Sequence, residues 1–161
     1  MKNEELYTFS IMTLLSVFLL STGASASENY IQWEKEPNDS WATGSVVMTY
    51  NYDQAINRGY ISSVNDIDYW KFEYGTNPNG YQIALQVPDG GYNYGVAVWE
   101  KIDGKYVEVA RDNGDFYQNV YLNIPGLKSD GSVPQYVIGI YSPYNIIYTP
   151  DEYYQLVVSP L

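Results

Sequence analysis

The sequence predicts an all-β protein, an antiparallel, jelly-roll-like β-sandwich of about eight or nine strands. Short β-prone segments recur along the chain, and turn residues break them at regular intervals. Several alternate apolar and polar residues with period two. No segment sustains a helical period.

In order, Ser40 to Gly44 reads as a turn that Asp39 or Ser40 can cap. Strands are expected over Ser45 to Tyr50 and Ala55 to Ile61, the second ending at the turn Ser62-Ser63-Val64-Asn65. Tyr69 to Tyr74 follows and places Asp66 and Asp68 at a strand entrance. Gly75-Thr76-Asn77-Pro78-Asn79-Gly80 is a strong loop signal. Tyr81 to Val87 then alternates, with Tyr81, Ile83, Leu85 and Val87 on one face. Tyr94 to Glu100 and Lys105 to Arg111 form an expected hairpin, because Asp103-Gly104 favours a tight turn. Phe116 to Ile124, Gln135 to Tyr141 and Tyr153 to Val158 complete the set.

Residues 1–26 read as a secretory signal peptide: the apolar stretch Ile11 to Leu20 leads to Ala24-Ser25-Ala26, an Ala-x-Ala cleavage site. Glu4 and Glu5 outweigh Lys2 where a positive balance is usual. Cleavage leaves residues 27–161 as a single exported domain with no membrane anchor, expected to act as a monomer. Removing Lys2, Glu4 and Glu5 from a chain of 8 basic and 19 acidic residues leaves a net charge of −10. Nucleic acid and anionic lipid are therefore poor partners. The chain has no Cys, so the exported domain must be held by its core, with a bound ion as a candidate substitute for disulfides. It has no His, which removes Ser-His-Asp and Cys-His catalysis and the usual His-containing zinc site.

One acidic stretch stands out. Glu34-Lys35-Glu36-Pro37-Asn38-Asp39-Ser40 packs three carboxylates and an amide together, and Pro37 biases Glu36 toward extended backbone. Extended geometry puts Glu34, Glu36 and Asn38 on one face. Asp66 and Asp68, again two apart, supply a second half. Brought together without a cation, each close pair of carboxylates repels by roughly 1 kcal/mol in water and ~4 kcal/mol near a protein surface. Ca²⁺ takes such hard oxygen ligands. A solvated acidic linker followed by a turn is the plain alternative.

Tyrosine is in excess, 19 in all, and Tyr136, Tyr141, Tyr144, Tyr148, Tyr153 and Tyr154 cluster toward the C-terminus. A small core cannot satisfy that many hydroxyls, so some are expected at the surface as contact residues. Ordinary β-propensity is the competing explanation.

The motifs Glu36-Pro37-Asn38-Asp39-Ser40, Gly59-Tyr60-Ile61, Asp66-Ile67-Asp68-Tyr69-Trp70, Val96-Ala97-Val98-Trp99 and Tyr154-Gln155-Leu156-Val157-Val158 occur in this order. With them the chain resembles the bacterial pre-peptidase C-terminal domain family, whose relatives include the collagen-binding domains of clostridial collagenases. The resemblance implies a jelly-roll-like sandwich with calcium between the N-terminal segment and the sheet. Its ligands would be Glu34, Glu36, Asn38, Asp39, Asp66 and Asp68, with Ser63 a further candidate. The family usually trails a secreted peptidase; this chain reads as a free-standing copy.

The expected function is a secreted, non-catalytic, calcium-stabilised module that binds an extracellular protein or peptide, collagen-like or protease-associated, through Tyr136, Tyr141, Tyr144 and Tyr154. The alternatives are a carbohydrate-binding module for cell-wall or environmental polysaccharide and a hydrolase using paired carboxylates.

Overall fold

A computed structural model describes residues 30–47, 54–72, 76–89, 92–115, 118–144 and 150–161. The expected signal peptide and Tyr148 lie outside these residues.

Ten strands form two five-stranded sheets that pack as a sandwich. They are β1 (Tyr30–Trp33), β2 (Ser45–Val46), β3 (Ala55–Gly59), β4 (Ile67–Phe72), β5 (Tyr81–Gln86), β6 (Gly95–Ile102), β7 (Lys105–Asp112), β8 (Val120–Ile124), β9 (Tyr136–Tyr141) and β10 (Tyr154–Pro160). Sheet I has the order β1-β3-β10-β5-β8 and sheet II the order β2-β4-β9-β6-β7. The body of each sheet is antiparallel, as the short, regularly punctuated segments predict. At one edge of each, however, a strand joins in parallel: β1 along β3 and β2 along β4. Parallel pairing needs a long crossover rather than a hairpin, and here the residues between β1 and β3 pass through the other sheet as β2.

Alternation decides the faces. In β4, Asp68, Trp70 and Phe72 point inward while Ile67, Tyr69 and Lys71 point out. Asp68 is therefore the second residue of a strand and inward-facing, not a group at its entrance. Trp70, Phe72, Ile83, Leu85, Ile138, Ile140, Leu156 and Val158 fill the space between the sheets. Truncating one such side chain, Ile138→Ala for example, costs about 2–5 kcal/mol. Trp70 Nε1 donates to the Tyr154 hydroxyl at 2.8 Å, a bond from sheet II to sheet I inside the core. Burying an indole and a phenol requires such a partner.

The β6–β7 hairpin turns through Asp103 and Gly104, both at positive φ (50° and 77°), the geometry for which Asp-Gly is suited. Ser40 caps its own turn as expected: its hydroxyl accepts from Thr43 N at 3.2 Å and its carbonyl from Gly44 N at 2.9 Å.

Candidate functional site

The crossover from β1 to β2 carries the acidic stretch across one end of the sandwich. Glu34 N donates to the Arg58 carbonyl at 2.8 Å, extending the β1–β3 ladder, and Glu34 Oε1 accepts from Tyr60 N at 2.7 Å. The chain then bends, with a cis Glu36-Pro37 peptide. Asn38 N donates back to Glu36 Oε2 at 2.8 Å, and Asn38 Nδ2 to Glu34 Oε2 at 3.1 Å. From the other side Tyr69 N donates to the Asn38 carbonyl at 3.2 Å, which docks the segment against the start of β4. A carboxylate oxygen from each of Glu34, Glu36 and Asp68 consequently lies within 4.8 Å of the other two. The two halves meet, although the local geometry is a turn and not the extended run that Pro37 suggests.

The electrostatics of this cluster are unusual for a protein interior. Asp68 and Asn38 are both 0 % exposed, and neither Asp68 oxygen nor Asn38 Oδ1 has a hydrogen-bond partner. Burial first, and the neighbouring charge of Glu34 second, push the Asp68 carboxyl up to about 10. Glu34 is also raised, chiefly by burial. The adjoining Tyr154 hydroxyl is raised well above its usual value by burial and then by the charges of Asp68 and Glu34. A buried acceptor left unmade costs about 1–3 kcal/mol. Three such atoms beside two more carboxylates form a hard-oxygen donor set, the chemistry suited to Ca²⁺, Mg²⁺ or Mn²⁺ and not to softer metals. Gly59 leaves room for it: a Cβ there would overlap Glu34 Oε2 and the Tyr154 hydroxyl.

The other two carboxylates of the expected set stand apart from this trio. Asp66 Oδ2 accepts from Ser62 N at 2.6 Å and Ser62 Oγ at 2.7 Å, and Asp66 N donates to the Ser63 carbonyl at 3.2 Å, so Asp66 holds the 62–66 turn. Asp39 is exposed and next to Asp66; partial burial and then that neighbour raise its carboxyl. Four of the six residues assemble and two form an adjacent pair.

The tyrosine assignments need correction. Tyr136 (2 % exposed) and Tyr154 (0 %) are core residues, not surface contacts, because both stand on inward positions of their strands. Tyr136 donates its hydroxyl to the Pro125 carbonyl at 3.0 Å. Tyr144 is exposed, and Tyr141 is half-buried on the outer face of sheet II.

That outer face carries residues not singled out from the sequence. Trp99 lies beside Tyr69 at 6.0 Å between ring centroids, and Trp41 packs on Tyr106 at 4.5 Å and on Trp99 at 5.8 Å. Gly139 sits beneath: a Cβ there would meet the Trp99 ring at 2.9 Å and the Tyr69 ring at 3.4 Å. Arg111 Cζ is 5.2 Å from the Tyr141 ring centroid and 6.0 Å from that of Trp99. Two hydrogen bonds to Glu108, at 2.9 and 2.6 Å, hold the guanidinium in place, and a third goes to the Tyr141 hydroxyl at 2.5 Å. The signal available in the sequence was the outward phase of Tyr69 and Trp99 opposite a glycine, which depends on knowing the strand register.

No family model and no curated protein matches the chain. Among solved structures it is similar to PliG of Aeromonas hydrophila, a periplasmic inhibitor of g-type lysozyme. The match is 14% identical with a TM-score of 0.38, and covers 81% of this chain and 97% of that chain. A likeness so distant carries no conclusion about function.

Proposed function

We propose that this protein is a secreted, non-catalytic binding module of the pre-peptidase C-terminal type, in which Ca²⁺ clamps the β1–β2 crossover onto the sandwich and the aromatic face of sheet II receives an extracellular protein or peptide. The observation that carries the ion is Asp68: a carboxylate fully buried, without a hydrogen-bond donor, and facing Glu34 and Glu36. Glu34, Glu36 and Asp68 would supply carboxylate oxygens and Asn38 Oδ1 an amide oxygen, with water completing the six to eight ligands that Ca²⁺ takes. Ca²⁺ fits better than Mg²⁺ because the four donors lie on a turn and a strand and form no octahedral cage. Support for the partner comes from Trp41, Tyr69, Trp99, Tyr106 and Tyr141 around an immobilised Arg111, the residue types that anchor protein interfaces.

Calorimetric titration of chelator-treated protein tests the ion. Binding of about one Ca²⁺ per chain, with a rise in Tm of several degrees at saturating Ca²⁺, is the expected result. A heat trace indistinguishable from buffer would remove the metal from this account. The partner is tested by retention on immobilised collagen, other matrix proteins and co-secreted peptidases. Trp99→Ala should weaken any retention about tenfold or more.

A further inference from the structure

Strand register brings a row of hydrogen-bonding side chains together on the outer face of sheet I. Trp33, Arg58, Gln155 and Gln86 stand abreast on β1, β3, β10 and β5. Arg58 Nε donates to Gln155 Oε1 at 3.0 Å, and Gln155 Nε2 donates to Gln86 Oε1 at 2.8 Å, so the three polar groups form one line across the strands. Beside it runs a second row, Ile31, Ile56, Val157, Ala84 and Tyr121, which crosses all five strands. On its other side stand Ser159, Gln82 and Asn123. Rings mark both ends. Trp33, 46 % exposed, lies 5.8 Å from Tyr60 with the ring planes 13° apart, and 5.3 Å from Tyr153. At the opposite edge Tyr121 is 56 % exposed.

The charge of this face decides what it suits. The chain has 19 acidic residues and a net charge of −11, yet none of these outward positions holds a carboxylate, and Arg58 is their only ionised group. Arg58 is held over the Trp33 and Tyr153 rings, with Cζ 5.6 and 4.6 Å from their centroids. A basic or strongly acidic partner finds no complementary field here. Amides and a guanidinium, by contrast, offer donors and acceptors side by side, the pattern that vicinal hydroxyls satisfy. Flat rings at either end provide apolar faces on which the C–H side of a sugar ring stacks. From β1 to β8 the face spans four inter-strand spacings of about 4.8 Å, hence about 19 Å, long enough for a short run of sugar units.

We infer that the outer face of sheet I is a binding platform for a neutral polysaccharide, lying across the strands from Trp33 to Tyr121. It is separate from the carboxylate cluster and from the aromatic face of sheet II, and stands whether or not those readings hold.

Native affinity electrophoresis of the whole mature chain tests it, in gels containing hydroxyethylcellulose, soluble mannan or, as an acidic control, alginate. Retardation by a neutral glycan, unchanged between low and high salt, is expected. Trp33→Ala and Gln155→Ala should each weaken it about tenfold. Because Trp33 adjoins Glu34, Tyr121→Ala and Gln86→Ala, both at exposed sites on the far strands, serve as second variants that leave the fold intact and should also reduce retardation. Val109→Ser, on the exposed edge of sheet II, should not change it. The inference is overturned by free migration in both neutral glycans, by retardation in alginate alone, or by neutral-glycan retardation that Tyr121→Ala and Gln86→Ala leave untouched. If only the collagen or peptidase assay fails, the platform is unaffected.

Discussion

Asp68 is where a single residue has the largest consequence. In the ion-free protein its folded pKa, about 10, lies far above its unfolded value of 3.8. The folded state therefore holds a proton that the unfolded state gives up. Stability in chelator should fall as pH rises through the window from about 4 to about 10, the reverse of an ordinary paired carboxylate. The proposed Ca²⁺ would displace that proton, so its affinity should increase over the same window. Asp68→Asn separates the two effects: it should raise Tm in chelator at pH 8 and abolish the rise caused by Ca²⁺, both read by differential scanning calorimetry. A variant that still responds fully to Ca²⁺ would move the ion elsewhere. Tyr154 makes the complementary point. Tyr154→Phe leaves Trp70 Nε1 buried without an acceptor, and urea unfolding should show a loss of about 1–3 kcal/mol. Reading the sequence grouped Asp68 with Glu34 and Glu36, which the fold brings within 4.8 Å of one another, since charge spacing is local. It misplaced Tyr136 and Tyr154, since a tyrosine in a strand faces core or solvent according to register, and register is not local.

At the scale of elements, the segments bounded by Gly, Pro, Asn and Asp were the legible ones. The β6–β7 hairpin is an instance: Asp103-Gly104 announces the turn, and Gly104 has φ of 77°, where an added Cβ would have no atom within 4 Å. Gly104→Ala therefore meets no clash, and its cost, about 1–2 kcal/mol in urea unfolding, should come from backbone strain alone. An unchanged midpoint would mean the turn adopts another geometry. Strand β1 was not legible. Tyr30-Ile31-Gln32-Trp33 is β-prone, but it lies beside the acidic stretch and its partner β3 is reached only after the chain has crossed the other sheet. Nothing within its own window specifies a parallel neighbour. The same holds for β2, two residues long and defined only by its pairing with β4.

For the whole molecule, a chain with no Cys is held by the apolar interior between its two sheets. The fold class followed from the density of turns and the alternation of strands. The approach of Asp68 to Glu34 and Glu36 was expected from the charge of the two acidic stretches, and burial of Asp68 accompanies it. The two faces proposed to bind partners did not follow. Each is a row perpendicular to the chain, assembled from one or two residues per strand, and such a row is spread over most of the sequence. Linkage would give the proposed ion its global weight: at free Ca²⁺ a hundredfold above Kd, a single site would add about 2.7 kcal/mol to stability. Chelation should consequently lower Tm for the entire domain in one cooperative step, and two separate transitions would show that the clamp unfolds independently.

The crossover that starts on sheet I and ends on sheet II laces the two layers together at one end of the molecule. Tension applied at Tyr30, as when the domain hangs by its leading end from something fixed, would reach the β1–β3 ladder and the Glu34–Asp68 knot ahead of the apolar interior. With the proposed Ca²⁺ bound, this end of the molecule would resist such a pull, and without it the crossover would be the first part to let out.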